Sequence, residues 1–310
     1  MNQELSSPAA LVQEVMRGTY FSGIIRYNES LSAHSTFRVG GLADVWIQPD
    51  ASVFPDFVSA LLKKASSAGI LVHLLGGGSN VLISDKGIRG IVIHTGAWFG
   101  YSSKNTFRAG TALDDAITLS ADRNQGGLEF LAGIPGTIGG AVWMNARCYG
   151  YSISDVLEAV RILNENGDEV TVPFRPEDYE YKKSPFQNRS VVILDATFKL
   201  ITRSGDSIRL DAESHRQDRD TKGHYRFPCA GSIFKNNRNF GKATGKIIDE
   251  LGLCGMSIGG AMIAPFHGNI IINTGTATST DIRNLVDMIM EKVYTATGFT
   301  LEPEIIFMGK

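Results

Sequence analysis

Apolar positions change period several times along this chain, and each change predicts an element. Residues 44–48 alternate as a strand, and Pro55 opens a helix whose apolar positions run through Leu61 and Leu62 until Gly69 stops it. A buried strand over 71–75 then runs straight into Gly76-Gly77-Gly78-Ser79-Asn80, and the apolar pattern resumes at Val81-Leu82-Ile83. Strand-like stretches follow at 88–93 and 107–110, then a helix from about 113 to 124 ended by Gly126 and Gly127. Residues 156–163 and 169–172 flank Asn166-Gly167, a strong hairpin signal, and 191–200 joins the same sheet by alternation. Near the end, Ile282, Leu285, Ile289 and Val293 mark one face of a helix over about 280–297. A strand over 300–307 follows, which would turn Glu302 and Glu304 to one face.

These elements make a mixed α+β chain without regular βαβ alternation. The polar turn Arg203-Ser204-Gly205-Asp206 and the polar stretch 211–222 predict a junction near residue 205. The expected division is a loose tail over 1–20, a first domain over 21–204 in two parts (about 21–95 and 96–204), and a C-terminal domain over 205–310. No period of 20 to 50 residues repeats, which removes solenoids and propellers.

At 310 residues with 43% hydrophobic composition, the chain can bury a large core. Its net charge of -2, without long like-charge blocks, lacks the cationic surface of a nucleic-acid binder, so any anion must be held locally. Apolar runs fall far short of the roughly 20 residues that span a bilayer. Residues 1–17 have the wrong charge order for a secretory signal, so a cytoplasmic protein is expected. Cys148, Cys229 and Cys254 fit neither a disulfide framework nor a zinc site and read as packed thiols, and no histidine pair has ligand spacing. Neither a metal nor a membrane partner is expected.

The glycine-rich segments are the first candidate chemistry. Residues 76–80 read either as a tight turn without a ligand or as a row of backbone N–H groups facing a pyrophosphate. They are not a Rossmann fingerprint, since GxGxxG order and a following helix are missing. A second run, 126–140, sets glycines among apolar residues before Ala141-Val142-Trp143-Met144-Asn145. Within it, Thr137 is placed to cap a helix running toward Asn145, leaving that helix's first N–H groups for a phosphate. The alternative is close helix-to-sheet packing. Two such segments in one domain suit a dinucleotide better than a single phosphate.

The strings STFRVGG at 35–41, LLGGGSNVL at 74–82 and GLEFLAGIPGTIGGAVWMNA at 127–146 resemble the UDP-N-acetylenolpyruvoylglucosamine reductase family, in the family's order. The resemblance runs from about Tyr20 to the end of the chain. It implies a vanillyl-alcohol-oxidase (PCMH-type) FAD-binding domain followed by a smaller α+β substrate domain. It also implies tightly held FAD, NADPH as reductant, and a UDP-sugar substrate used in peptidoglycan synthesis. Gly76, Gly77, Gly78, Ser79 and Asn80, together with Gly133, Ile134, Pro135, Gly136, Gly139 and Gly140, would wrap the FAD diphosphate, with Arg38 nearby.

Reduction of an enolpyruvyl ether needs hydride at the vinyl carbon, a proton at the carbon bearing the carboxylate, and groups that stabilise an enolate between the two steps. By resemblance, Tyr181-Lys182-Lys183-Ser184 stands where the family has Tyr-Arg-x-Ser, so Lys182 would supply the positive charge without arginine's two-point grip, alone or with Lys183. Gly231-Ser232-Ile233-Phe234-Lys235-Asn236 resembles the family's proton-donor motif, making Ser232 the acid, with Lys235 and Asn236 orienting substrate or serine, as Tyr181 would. Cys229 is intrinsically the better acid but stands at the wrong offset. Leu301-Glu302-Pro303-Glu304 resembles the C-terminal motif whose second glutamate, Glu304, would hold a proton against the enolate oxygen, with Glu302 structural. His267 would serve structure or substrate. The short interval between Lys182 and Ser232 resembles the family's shorter form, which lacks a tyrosine-bearing loop, and Gly223-His224 replace its Gln-Pro pair. A flavin oxidase of a small hydroxy acid or sugar lactone is the competing reading, and a non-catalytic flavin-binding regulator a third. Ser232 and Glu304 favour proton delivery over both.

Overall fold

The computed structural model describes residues 7–187 and 189–309. Its contacts divide the chain into two compact units, each assembled from separated stretches. The first comprises the stretch up to Glu29 with Ala43–Gly77 and Arg89–Gln217, and the second comprises Ser30–Leu42, Gly78–Ile88 and the stretch from Asp218 onward.

In the first unit, helix α1 (Pro8–Gly18) starts at the Ser7 cap and buries Leu11, Val12 and Val15. Residues 7–18 are therefore an ordered core element and not the loose tail expected there; residues 1–6 lie outside the described residues. Helix α2 (Phe54–Ala68) buries Phe54, Phe57, Val58 and Leu61 and ends at Gly69 in the left-handed conformation, as the Pro55 and Gly69 signals predict. A four-stranded sheet runs in the order Gly23–Ser30, Leu42–Pro49, Ile88–His94, Val72–Leu75. A five-stranded antiparallel sheet runs in the order Glu169–Pro173, Leu157–Leu163, Val192–Phe198, Thr106–Arg108, Tyr101–Ser103. Its hairpin turns through Gly167 at φ 74°, with Leu163 opposite Glu169. Helix α3 (Leu113–Ala121) is three residues shorter than its periodicity suggests, and the chain turns at Asn124, whose φ is 55°. Helix α4 (Ile138–Trp143) is capped by Thr137, as read from sequence, but its first N–H groups are not left for a phosphate as expected, because Ile138 donates to the Thr111 carbonyl, Gly139 to the Ala109 carbonyl and Gly140 to Thr137 Oγ1.

The polar stretch expected to be a boundary is helix α5 (Gly205–Thr221), which buries little beyond Ile208 and Ala212 and so gives no apolar stripe to read.

The second unit packs helix α6 (Thr244–Glu250) and helix α7 (Ser279–Thr297) with an antiparallel sheet ordered Cys229–Ser232, Ile270–Asn273, Ala261–Ile263, Ser257–Ile258. Ile282, Leu285, Ile289 and Val293 are buried as predicted. Two early stretches of sequence complete this unit. Phe37, Val39 and Leu82 enter its core, Asn273 donates to the Phe37 carbonyl at 2.9 Å, and Val81–Ile83 pairs in parallel with Ile306–Met308. The Asp85 carboxylate receives the Ser279 and Thr280 N–H groups, both at 2.8 Å, at the start of α7.

Residues 300–305 are not the regular strand expected. Only Ile306–Met308 is a strand, and before it Pro303 forms an isolated bridge to Phe234. Proline has no N–H for a continuous ladder. Glu302 is consequently exposed and paired with Lys235, while Glu304 is half-buried.

Candidate functional site

In the first unit the two glycine segments meet. A Cβ on Gly76 would lie 2.7 Å from Thr137 Oγ1, and one on Gly77 would lie 3.1 Å from Gly136 Cα, so the two segments pack closely and leave little room for side chains. Thr137 Oγ1 accepts from the Gly140 N–H at 3.4 Å, which fixes the first turn of α4. Gly139 donates to the Ala109 carbonyl at 2.8 Å, and Gly136 accepts from Leu113 at 3.1 Å. The Gly133 N–H donates to Asp114 Oδ1 at 3.1 Å. Among the described residues, none of the backbone N–H groups at 76–80 donates to a protein acceptor. Backbone donors without protein acceptors at Gly76 and Gly77, beside a closely packed glycine segment, suit an anion such as a diphosphate, so this segment fits FAD, whereas the N–H groups of Gly133, Ile134, Gly139 and Gly140 already have protein acceptors.

The chain enters the second unit at Gly78, whose φ is 61° and whose Cβ would collide with the His34 carbonyl at 2.0 Å. Its own carbonyl accepts from the Thr36 N–H at 3.0 Å. Asn80 donates from Nδ2 to the Glu304 carbonyl at 3.1 Å and accepts from Ile306 N–H at 2.9 Å, so it also holds the C-terminal segment. Arg38 is exposed at a left-handed φ of 57°.

Lys182 belongs to the first unit, in a turn closed by the bridge between Glu180 and Lys183. It is half-buried at φ 59°, an uncommon conformation for a residue with a side chain. Buried Asn145 donates to the Glu180 carbonyl at 2.9 Å and accepts from the Ser154 N–H at 3.3 Å. Ser184 and Gln187 both donate to the Trp143 carbonyl, at 2.7 and 2.9 Å. The end of α4 thus fixes the turn that presents Lys182. Lys183 pairs with Glu180 at 2.8 Å, a bond that lowers the Glu180 pKa, so Lys183 is engaged within its own turn. Tyr181 is exposed beside it.

In the second unit, Ser232 follows Gly231, whose φ of 68° marks a register shift between Cys229 and Ser232 against Ile270–Asn273. Such a bulge turns a side chain out of its regular alternation. The next residues are tightly held. Buried Asn269 accepts from Phe234 N–H at 2.9 Å and donates to its carbonyl at 2.8 Å, while its own carbonyl takes the Ile233 N–H. Glu304 N–H donates to the Ile233 carbonyl at 2.7 Å, and Lys235 N–H to the Glu302 carbonyl at 2.9 Å. The backbones on either side of Ser232 and Glu304 are therefore mutually braced. Lys235 Nζ pairs with Glu302 at 2.5 Å, and Asn236 Oδ1 accepts from Thr244 N–H at the start of α6, giving both residues structural partners in addition to any substrate role.

Burial pushes the Cys229 thiol pKa up, so it packs as a neutral thiol. Burial likewise lowers His267, and lowers His224 to about 4 with help from the nearby Arg219 charge. Their rings lie 5.9 Å apart. Sequence reasoning did not assign Asn145 or Asn269. Asn145, at φ 44° just after α4, lies in the string at 127–146, and an asparagine ending a helix was its available signal. Among the described residues, no cluster of His, Cys, Asp or Glu can hold a metal ion, and no helix is long and apolar enough to cross a membrane.

Residues 55–173 match the FAD binding domain family, and residues 223–308 match the C-terminal domain of UDP-N-acetylenolpyruvoylglucosamine reductase. The Treponema denticola reductase of that name is 40% identical, over 93% of this chain and 94% of its own length. The Borreliella burgdorferi reductase is 37% identical over 91% and 93%. The crystal structure of the Thermus caldophilus reductase aligns with a TM-score of 0.77 at 30% identity, over 94% of this chain and 100% of that one.

Proposed function

The chain belongs to the UDP-N-acetylenolpyruvoylglucosamine reductase family, and from that premise we propose how its own side chains carry the family's reaction. The protein is a flavin-dependent oxidoreductase of peptidoglycan precursor synthesis that reduces UDP-N-acetylglucosamine enolpyruvate with NADPH through FAD. We place this reaction in the cytoplasm, where the nucleotide-sugar and NADPH pools lie.

The glycines at 76–78 and 133–140, with Ser79, Asn80 and Arg38, hold the FAD. FAD held there would supply the hydride chemistry between NADPH and the terminal vinyl carbon of the substrate. Lys182 supplies a positive charge for the enolate that develops, as a point charge and not a planar fork. Glu304 hydrogen-bonds the enolate oxygen, and the Ser232 hydroxyl gives its proton to the carbon bearing the carboxylate. Lys235, Asn236 and Tyr181 orient the substrate.

The observation that carries this reading is the bracing of Ser232 and Glu304. The bulge at Gly231 sets the serine, and the 2.7 Å bond from Glu304 N–H to Ile233 holds the glutamate segment beside it. A proton donor and an enolate stabiliser must keep their spacing, and this backbone pairing provides it. An oxidase would instead need a base to remove a substrate proton.

An absorption spectrum tests the reading directly. The purified protein is expected to show flavin bands that bleach with anaerobic NADPH and return on addition of UDP-N-acetylglucosamine enolpyruvate. Bands restored only by air would favour the oxidase, and a colourless protein that FAD cannot reconstitute would remove the flavin assignment.

A further inference from the structure

We propose that Arg216 and Asp114 are positioning residues for FAD, acting through the Gly133 N–H; the idea rests on the assignment of residues 133–140 to the flavin. Gly133 is buried, with φ 73°, and its N–H donates to Asp114 Oδ1 at 3.1 Å. The same oxygen receives Arg216 Nε at 2.9 Å and Arg216 Nη2 at 2.8 Å. A carboxylate in the first turn of α3 is thus gripped by a planar guanidinium from near the end of α5 while it holds a loop amide. An aspartate alone would have other rotamers available toward solvent; two guanidinium donors on one oxygen restrict it to the rotamer that meets Gly133.

The consequence reaches the glycine cradle along a short path. Gly136, three residues after Gly133, packs on Gly77, and Gly136 accepts from Leu113, the neighbour of Asp114. Displacing the Asp114 side chain would free the loop at Gly133, next to the point where the Leu113 backbone holds Gly136. The far end of the segment is held by the same turn of α5: the Tyr149 ring stacks on His215 at 4.0 Å, and its hydroxyl donates to the His215 carbonyl at 3.2 Å. Consecutive residues of α5 therefore fasten the stretch from Gly133 to Tyr149 that contains the predicted diphosphate loop. The polar character of α5 acquires a purpose, since its arginines are directed at the carboxylates of a neighbouring element.

An internal control exists seven residues earlier on the same helix, where Arg209 pairs with Asp122 at the end of α3. Asp122 accepts no loop amide among the described residues. The experiment measures FAD release from the full-length holoprotein after dilution, by flavin fluorescence, in the parent, Asp114→Ala, Arg216→Ala, the double variant and Arg209→Ala, alongside each thermal midpoint. Release is expected to accelerate by about tenfold in both single variants, consistent with losing a charged hydrogen bond, and no further in the double variant. Arg209→Ala is expected to release FAD as the parent does, whatever its thermal midpoint. Asp114→Asn and Arg216→Gln carry the same comparison if the alanine variants do not fold. Parent-like release in Arg216→Ala, fully additive effects in the double variant, or equal acceleration in Arg209→Ala would overturn the proposal while leaving the reductase assignment intact. A parent that holds no FAD would overturn both.

Discussion

Lys182 combines a role legible in sequence with a backbone that was not. Its left-handed conformation costs a residue with a side chain roughly 1–2 kcal/mol, a cost that glycine avoids. Lys182→Gly is therefore expected to leave the urea midpoint at or slightly above that of the parent while substrate-dependent reoxidation slows, separating charge from fold. Ser232→Ala is expected to keep reduction by NADPH and to slow reoxidation by the enolpyruvyl substrate by about 10²–10⁴-fold in stopped-flow absorbance, the range for losing a positioned acid. Equal reoxidation rates would assign the proton to another donor. The buried imidazoles give a third expectation. His224 has a folded pKa of about 4 against an ordinary 6.5, so below 6.5 the unfolded chain binds more protons than the folded one. Its contribution to stability is present above 6.5 and is lost as the pH falls toward 4. Urea midpoints should decline across that window, less steeply in His224→Gln, and parallel declines would clear His224. Motifs identify groups that meet ligands, whereas Asn145 and Asn269 act on backbone groups far along the chain or in another element, and no local pattern encodes that.

At the scale of elements, periodicity located those with one apolar face and missed those without. Helix α2, helix α7 and the hairpin at Asn166-Gly167 follow from apolar spacing, Pro55, Gly69 and the Asn-Gly signal. Helix α5 was missed because it buries little apolar surface and instead makes arginine-to-carboxylate pairs. The segment at 300–305 was overread because alternation there continues through Pro303, which limits pairing to an isolated bridge. The hairpin permits a test of structure apart from chemistry. Gly167 lies at φ 74° with its Cβ position 2.8 Å from the Ser59 carbonyl, and Ser59 Oγ donates to the Gly167 carbonyl at 2.5 Å. Gly167→Ala should lower unfolding free energy by about 1–3 kcal/mol in denaturant titration, with the flavin spectrum unchanged. A shifted spectrum would mean that the hairpin communicates with the cofactor.

For the whole molecule, sequence reading arranged the function in linear order, but the units are interleaved. The family match at 223–308 suggests a self-contained C-terminal piece, yet the second unit draws Phe37, Val39, Leu82 and the Asp85 cap from before residue 89. Residues 205–310 expressed alone are expected to show poor amide dispersion and no cooperative melt, because the Ile306–Met308 strand lacks its parallel partner. A cooperative melt from that fragment would show the early segments to be dispensable. Glycine motifs reveal their contacts through composition, whereas a strand such as Val81–Ile83 carries no local sign of a partner over two hundred residues away.

That parallel pairing also sets a timetable for birth on the ribosome. Val81–Ile83 emerges first, and Ile306–Met308 follows only after roughly tens of seconds of translation at 5–20 residues per second. During that interval a strand rich in valine, leucine and isoleucine waits without its neighbour, and nascent-chain chaperones are the natural custodians of such an edge.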